Sequence, residues 1–149
     1  MRILVADDND VLRWGLVESL SAQPDMVVVG EAAEAGDAVV AYARLHPDVL
    51  VLDLYMPGGG GWFALEQVLA NQPQARVVIL SAADDVATVE AATARGARAH
   101  VSKSAGITRL LQVLRSVAGG IRDDERDASG DRPRGPQAAS SAGGGDAGP

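Results

Sequence analysis

Asp7 and Asp8, Asp53, Ser81 and the pair Ser102-Lys103 each close a short run of β-branched and aliphatic residues. Their types suit one chemistry. Carboxylates are hard oxygen ligands for a divalent cation, and Mg2+ in particular takes one or two of them together with waters and phosphate oxygens. A carboxylate is also a nucleophile that forms an acyl phosphate, while an ammonium and a hydroxyl stabilise the transferred oxygens. Taken one at a time, Asp and Ser in such places cap turns and helix starts. Gathered on one edge of one sheet, three carboxylates, a hydroxyl and an ammonium would make a site of net charge −2. Clustered carboxylates raise at least one of their pKa values unless a cation compensates, so such a site awaits a divalent ion. Asp53 is the best-placed nucleophile. It follows the most apolar run, Val49-Leu50-Val51-Leu52, and precedes Met56-Pro57-Gly58-Gly59-Gly60-Gly61. That glycine run either lets the backbone approach a ligand closely or forms a plain flexible turn.

The elements that position these residues follow from periodicity. Apolar runs at Ile3-Leu4-Val5, Val27-Val28-Val29, Val49-Leu52 and Val77-Leu80, with a weaker one at His100-Val101, lack apolar–polar alternation and read as strands buried on both faces of a parallel sheet. Five stretches between them read as helices. The first, over 11–22, presents Leu12, Leu16, Val17 and Leu20 after a cap at Asp10. The next three span about 35–45, about 61–71 with Leu65, Val68 and Leu69, and about 85–95 after Asp84 or Asp85. The fifth, over 107–118, carries Ile107, Leu110, Leu111, Leu114 and Val117. Five βα units predict a (βα)5 three-layer α/β sandwich with right-handed crossovers, too few for a closed barrel. In the common flavodoxin-like strand order 2-1-3-4-5, the first and third strands are neighbours and Asp7, Asp8 and Asp53 converge at the carboxyl edge, where such sheets bind ligands. The fourth helix has only Val86 and Val89 as large apolar residues among alanines, so it should be the most loosely held.

Composition narrows the function. The 149 residues include no Cys, which removes disulfides, thiolate metal sites and a Cys nucleophile. With 3% aromatic residues and a net charge of −7, the chain lacks stacking platforms and the basic surface that direct DNA binding needs. No apolar stretch is long enough for a signal peptide or a membrane span, and the chain reads as cytoplasmic. Residues 119–149 hold 8 Gly, 5 Ala, 3 Pro and 3 Ser, with Ile121 the one large aliphatic, and read as a disordered tail after a folded unit of residues 1–118.

The combination of Asp7-Asp8, Asp53-Leu54-Tyr55-Met56-Pro57 with Gly61, Ser81-Ala82 and Lys103 resembles the receiver domain of two-component response regulators. Val11-Leu12-Arg13-Trp14-Gly15-Leu16 and Gly30-Glu31-Ala32 further resemble its NarL-type, LuxR-related branch. The resemblance implies a phospho-acceptor switch and not an enzyme acting on separate substrates. Asp53 would accept a phosphoryl group from a sensor histidine kinase. Asp8 and Asp53 would hold Mg2+ with the Tyr55 backbone carbonyl, and Asp7 would act mainly through water. Lys103 would pair with the phosphoryl group. Ser81 would hydrogen-bond it and draw inward the residue three before Lys103, here His100 where the family usually has Tyr or Phe. The surface of the fourth helix, fifth strand and fifth helix would change, altering binding to a partner or to a second copy. The branch normally carries a helix-turn-helix output domain, and residues 119–149 show no pattern for one. A stand-alone phosphate sink, a regulator that has lost its output domain, and an Asp-nucleophile phosphatase-like enzyme are the alternatives; for the last, Tyr55 stands where such hydrolases place their second acid.

Overall fold

The computed structural model describes residues 1–83 and 85–120; the tail expected over residues 119–149 lies, but for Gly119 and Gly120, outside the described residues. Along the chain run β1 (Arg2–Ala6), α1 (Asp10–Ser21), β2 (Val27–Ala32), α2 (Ala35–Leu45), β3 (Val49–Leu52), α3 (Gly60–Asn71), β4 (Val77–Ser81), α4 (Val86–Ala94), β5 (Ala99–Ser102), a 3-10 turn (Lys103–Ala105) and α5 (Ile107–Ala118). All strand pairs are parallel and the order is β2-β1-β3-β4-β5. This is the flavodoxin-like sandwich.

One apolar cluster lies between the sheet and α2 and α3, built on Leu4, Leu50, Leu52, Leu65 and Ile79. The other lies between the sheet and α1 and α5, built on Ile3, Val5, Leu20, Val51 and Leu114. Alternate residues of β1 and β3 serve the two layers, which is why both strands are apolar throughout. Each fully buried Val, Leu or Ile contributes about 1.5–3 kcal/mol of transfer free energy, so β3, buried at all four residues, anchors Asp53 firmly.

Four details depart from the sequence reading. β2 is a sheet edge, with Val27 58% exposed and its middle half-buried, so its apolar run is not buried on both faces. The cap of α1 is Asn9, whose side chain accepts from the Leu12 N–H; Asp10 is the first helical residue and pairs instead with Arg13. α5 turns Val113 inward and leaves Ile107 at the surface. The last concerns the glycine run. A Cβ on Gly61 would collide with the Asp53 carbonyl and the Leu54 Cα, and the Gly61 N–H donates to the Leu54 carbonyl at 2.7 Å. The close approach at Gly61 is therefore to the chain's own backbone.

α4 matches the expectation of weak anchorage. Its Asp85 cap accepts from the Thr88 N–H, Val86 is 71% exposed, and Ala92 is the one buried residue of the helix. Its C-terminal end is held from outside by Arg95, whose guanidinium stacks 4.6 Å over Trp62 of α3 and pairs with Glu66 at 3.4 Å.

Candidate functional site

β1 and β3 are hydrogen-bonded neighbours in register, Ala6 opposite Leu52, and each hands its next residue to the same edge of the sheet. The Asp7 N–H donates to Ala32 and the Asp53 N–H to Ala6, so the ladder fixes both backbones one residue past the strands. Asp7 and Asp53 are buried, at 1% and 4% exposure, whereas Asp8 faces solvent. Carboxylate oxygens of all three come within 4.8 Å of one another.

Lys103 enters from the turn after β5. Its ammonium lies 3.1 Å from Oδ2 of Asp53 and donates a hydrogen bond to it. It also lies 2.9 Å from Oδ2 of Asp7, an ion pair without hydrogen-bond alignment, so that buried oxygen keeps no hydrogen-bond partner. The remaining oxygens are steadied by main chain. Oδ1 of Asp7 accepts from the Asn9 N–H at 2.8 Å, and Oδ1 of Asp53 from the Tyr55 N–H at 3.2 Å.

Burial pushes the Asp53 carboxyl above the ordinary carboxylate range, and the Asp7 charge adds to that, against the Tyr55 N–H and Lys103. For Lys103 burial works against the ammonium, but the adjacent carboxylates of Asp7 and Asp53 outweigh it and its pKa is raised. The site therefore holds one compensated pair and two further negative charges. An all-oxygen set whose three carboxylates are offset by one ammonium fits a hard divalent cation.

Of the other expected residues, Ser81 and Tyr55 reach the same edge. Ser81 is fully buried at the end of β4, opposite Ser102 in the ladder, and its hydroxyl accepts from the Ala83 N–H at 3.2 Å. Tyr55 contributes its N–H to Asp53 while its side chain is 54% exposed. His100 sits opposite Ile79 in β5, half-buried, with Nε2 buried and without a hydrogen-bond partner; it is outside the carboxylate cluster.

Sequence reasoning missed Arg13. Its guanidinium donates to the Asp7 carbonyl at 2.6 Å, to Glu31 at 3.0 Å and to Asp10 at 2.8 Å, tying the first turn of α1 and the end of β2 to the Asp7-Asp8 backbone. The only sequence signal was an arginine one turn into a helix that starts beside two acids.

The model of the response regulator receiver domain matches residues 3–115, and the chain belongs to that family. Receiver domains are signalling modules of two-component systems, phosphorylated by sensor histidine kinases and binding Mg2+ at an acidic pocket. The branch is the NarL/LuxR one. The response regulator GacA of Pseudomonas aeruginosa is 32% identical over 122 residues, which cover 82% of this chain and 57% of GacA. The nitrate/nitrite response regulator NarL of Escherichia coli is 34% identical over 118 residues, covering 79% and 55%. A LuxR-family two-component response regulator from Aurantimonas sp. superposes with a TM-score of 0.79 at 32% identity, covering 85% of this chain and 92% of that one. The chain thus spans little more than half the length of the curated relatives it matches. Among the described residues there is no helix-turn-helix output domain, and no helix long and apolar enough to cross a membrane.

Proposed function

We propose that Asp53 accepts a phosphoryl group from the phosphohistidine of a sensor histidine kinase and that residues 1–118 act as the resulting switch. The observation that carries this reading is the Lys103 ammonium held against Asp53 and Asp7 with Asp8 beside them. Asp7, Asp8, Asp53 and the Tyr55 backbone carbonyl would hold Mg2+, which when bound supplies positive charge to the three transferred oxygens.

The chain's own residues do the rest. A carboxylate oxygen of Asp53 bonds to phosphorus as the bond from phosphorus to the donor imidazole nitrogen breaks. The Tyr55 N–H holds the other oxygen in place, so one orientation is presented. Once Asp53 is an acyl phosphate it no longer pairs with Lys103, and the ammonium transfers its hydrogen bond to a phosphoryl oxygen. The Ser81 hydroxyl turns from the Ala83 N–H to the phosphoryl group, and His100 follows into the space that opens. α4, with Ala92 its one fully buried residue and Arg95 holding its end from outside, is the element that this movement displaces. The changed α4, β5 and α5 surface then controls binding to a partner or to a second copy, and transcription where the receiver is part of a longer regulator.

Incubation with Mg2+ and a small acyl phosphate, followed by intact mass and size-exclusion measurement, tests the reading. A gain of one phosphoryl group in the wild type and none in Asp53→Asn is expected. An unmodified wild type, or an equally modified Asp53→Asn, overturns it.

A further inference from the structure

Asp7 is held from three sides. Its N–H donates to the Ala32 carbonyl at 3.0 Å, its Oδ1 accepts from the Asn9 N–H at 2.8 Å, and its carbonyl accepts from the Arg13 guanidinium at 2.6 Å. The last contact falls on the peptide that leads into Asp8, the exposed carboxylate of the cluster. Asp8 lies between β1 and α1 and in neither, so the plane of that peptide sets where its carboxylate stands. Arg13 is well placed for the task. Side chains on a helix lean toward its N-terminus, and Arg13, the fourth residue of α1, reaches back past the Asn9 cap to the end of β1. Its other nitrogens are fixed by Glu31 of β2 at 3.0 Å and by Asp10 at 2.8 Å, and its side chain is only 16% exposed. A guanidinium is a rigid planar fork, so these two carboxylates aim the remaining N–H at the Asp7 carbonyl. They also offset its positive charge, which lets it stand beside a cation site.

We propose that Arg13 is a positioning residue for the divalent-cation site, fixing through the Asp7 carbonyl the peptide that aims Asp8 at the ion. The inference rests on the Mg2+ site proposed for Asp7, Asp8 and Asp53. Charge and position make opposite demands on this residue. If Arg13 acted through its charge, its loss would remove a repelling cation and tighten Mg2+ binding. Acting through position, its loss weakens binding. Outer partners of metal ligands typically set affinity by about 10–100-fold, and Arg13, working through one exposed carboxylate, belongs at the lower end of that range.

The test is a Mg2+ titration of the full chain, without a phosphoryl donor, followed by backbone amide shifts at constant ionic strength. Arg13→Gln and the charge-retaining Arg13→Lys, whose ammonium is a point donor and not a fork, should each weaken binding about tenfold. Added to Asp8→Ala, Arg13→Gln should weaken it no further, because the carboxylate it positions is gone, whereas independent effects would add. A merely structural role would lower the urea midpoint and leave the affinities unmoved. Amide dispersion without the ion checks that each variant is folded, and Arg13→Lys carries the test should Arg13→Gln not fold. No Mg2+ binding by the wild type would overturn the ion site and this role with it. Binding by the wild type that is unchanged or tighter in either folded Arg13 variant, or a fully additive loss in the double variant, would overturn the role of Arg13 alone.

Discussion

The Lys103 ammonium bridges two buried carboxylates that arrive from different strands, 2.9 Å from Oδ2 of Asp7 and 3.1 Å from Oδ2 of Asp53. Removing it as Lys103→Met strands both charges. Breaking a buried pair costs about 3–5 kcal/mol, and with the lysine side chain 22% exposed the expected loss is smaller, about 1–3 kcal/mol. Added Mg2+ supplies the missing charge, so it should stabilise Lys103→Met more than the wild type in urea unfolding. Equal stabilisation of both would show that lysine and ion do not share the site.

Asp8 is the exposed member of the cluster, so its loss leaves the fold intact and removes one ligand. Asp8→Ala should weaken Mg2+ binding by at least about tenfold, since each 1.4 kcal/mol is a factor of ten. Its urea midpoint without the ion should match or exceed that of the wild type, because a repelling charge is gone. A calorimetric Mg2+ titration reads the first effect.

Gly61→Ala forces a methyl group into the Asp53–Leu54 backbone. Overpacking of this kind typically costs about 1–3 kcal/mol, and here the backbone that must move carries the acceptor. Unfolding in urea should show that loss, and phosphorylation by an acyl phosphate should slow in the variant that remains folded.

Far from the site, Asp25 is clamped by Arg115, whose Nε and terminal nitrogen donate to it at 2.9 Å each. That contact lowers the Asp25 pKa from 3.8 to about 2. A carboxyl depressed in the folded state contributes stability above its unfolded value and loses it as pH falls through the folded one. Between about pH 4 and pH 2 the wild type should therefore lose more stability than Asp25→Asn, measured as the pH dependence of the thermal midpoint.

How much of this was legible beforehand differs by element. Central strands were plain because β1, β3 and β4 are buried on both faces, and the acids after β1 and β3 followed from the order of the strands. The edge strand β2 was misjudged, since an apolar run does not reveal which strand lacks a neighbour. The cap of α1 was displaced by one residue because Asn9 and Asp10 are both good caps, and only the Asn9 contact to the Leu12 N–H decides between them. Arg13 was only faintly signalled: Asp10 is its i,i+3 neighbour on α1, but nothing local joins it to Glu31 of β2 or to the Asp7 carbonyl. The glycine run left a ligand approach and a plain flexible turn both open, because a sequence shows that backbone can come close to something without showing to what.

The central claim is that phosphate arrives on Asp53 and nowhere else. Borohydride reduces an aspartyl phosphate to homoserine, so the wild-type chain, treated with Mg2+ and a small acyl phosphate, reduced, digested and sequenced by mass spectrometry, should carry homoserine at position 53. Homoserine at any other position, or an unaltered Asp53 in a protein whose intact mass has risen by a phosphoryl group, would contradict the account.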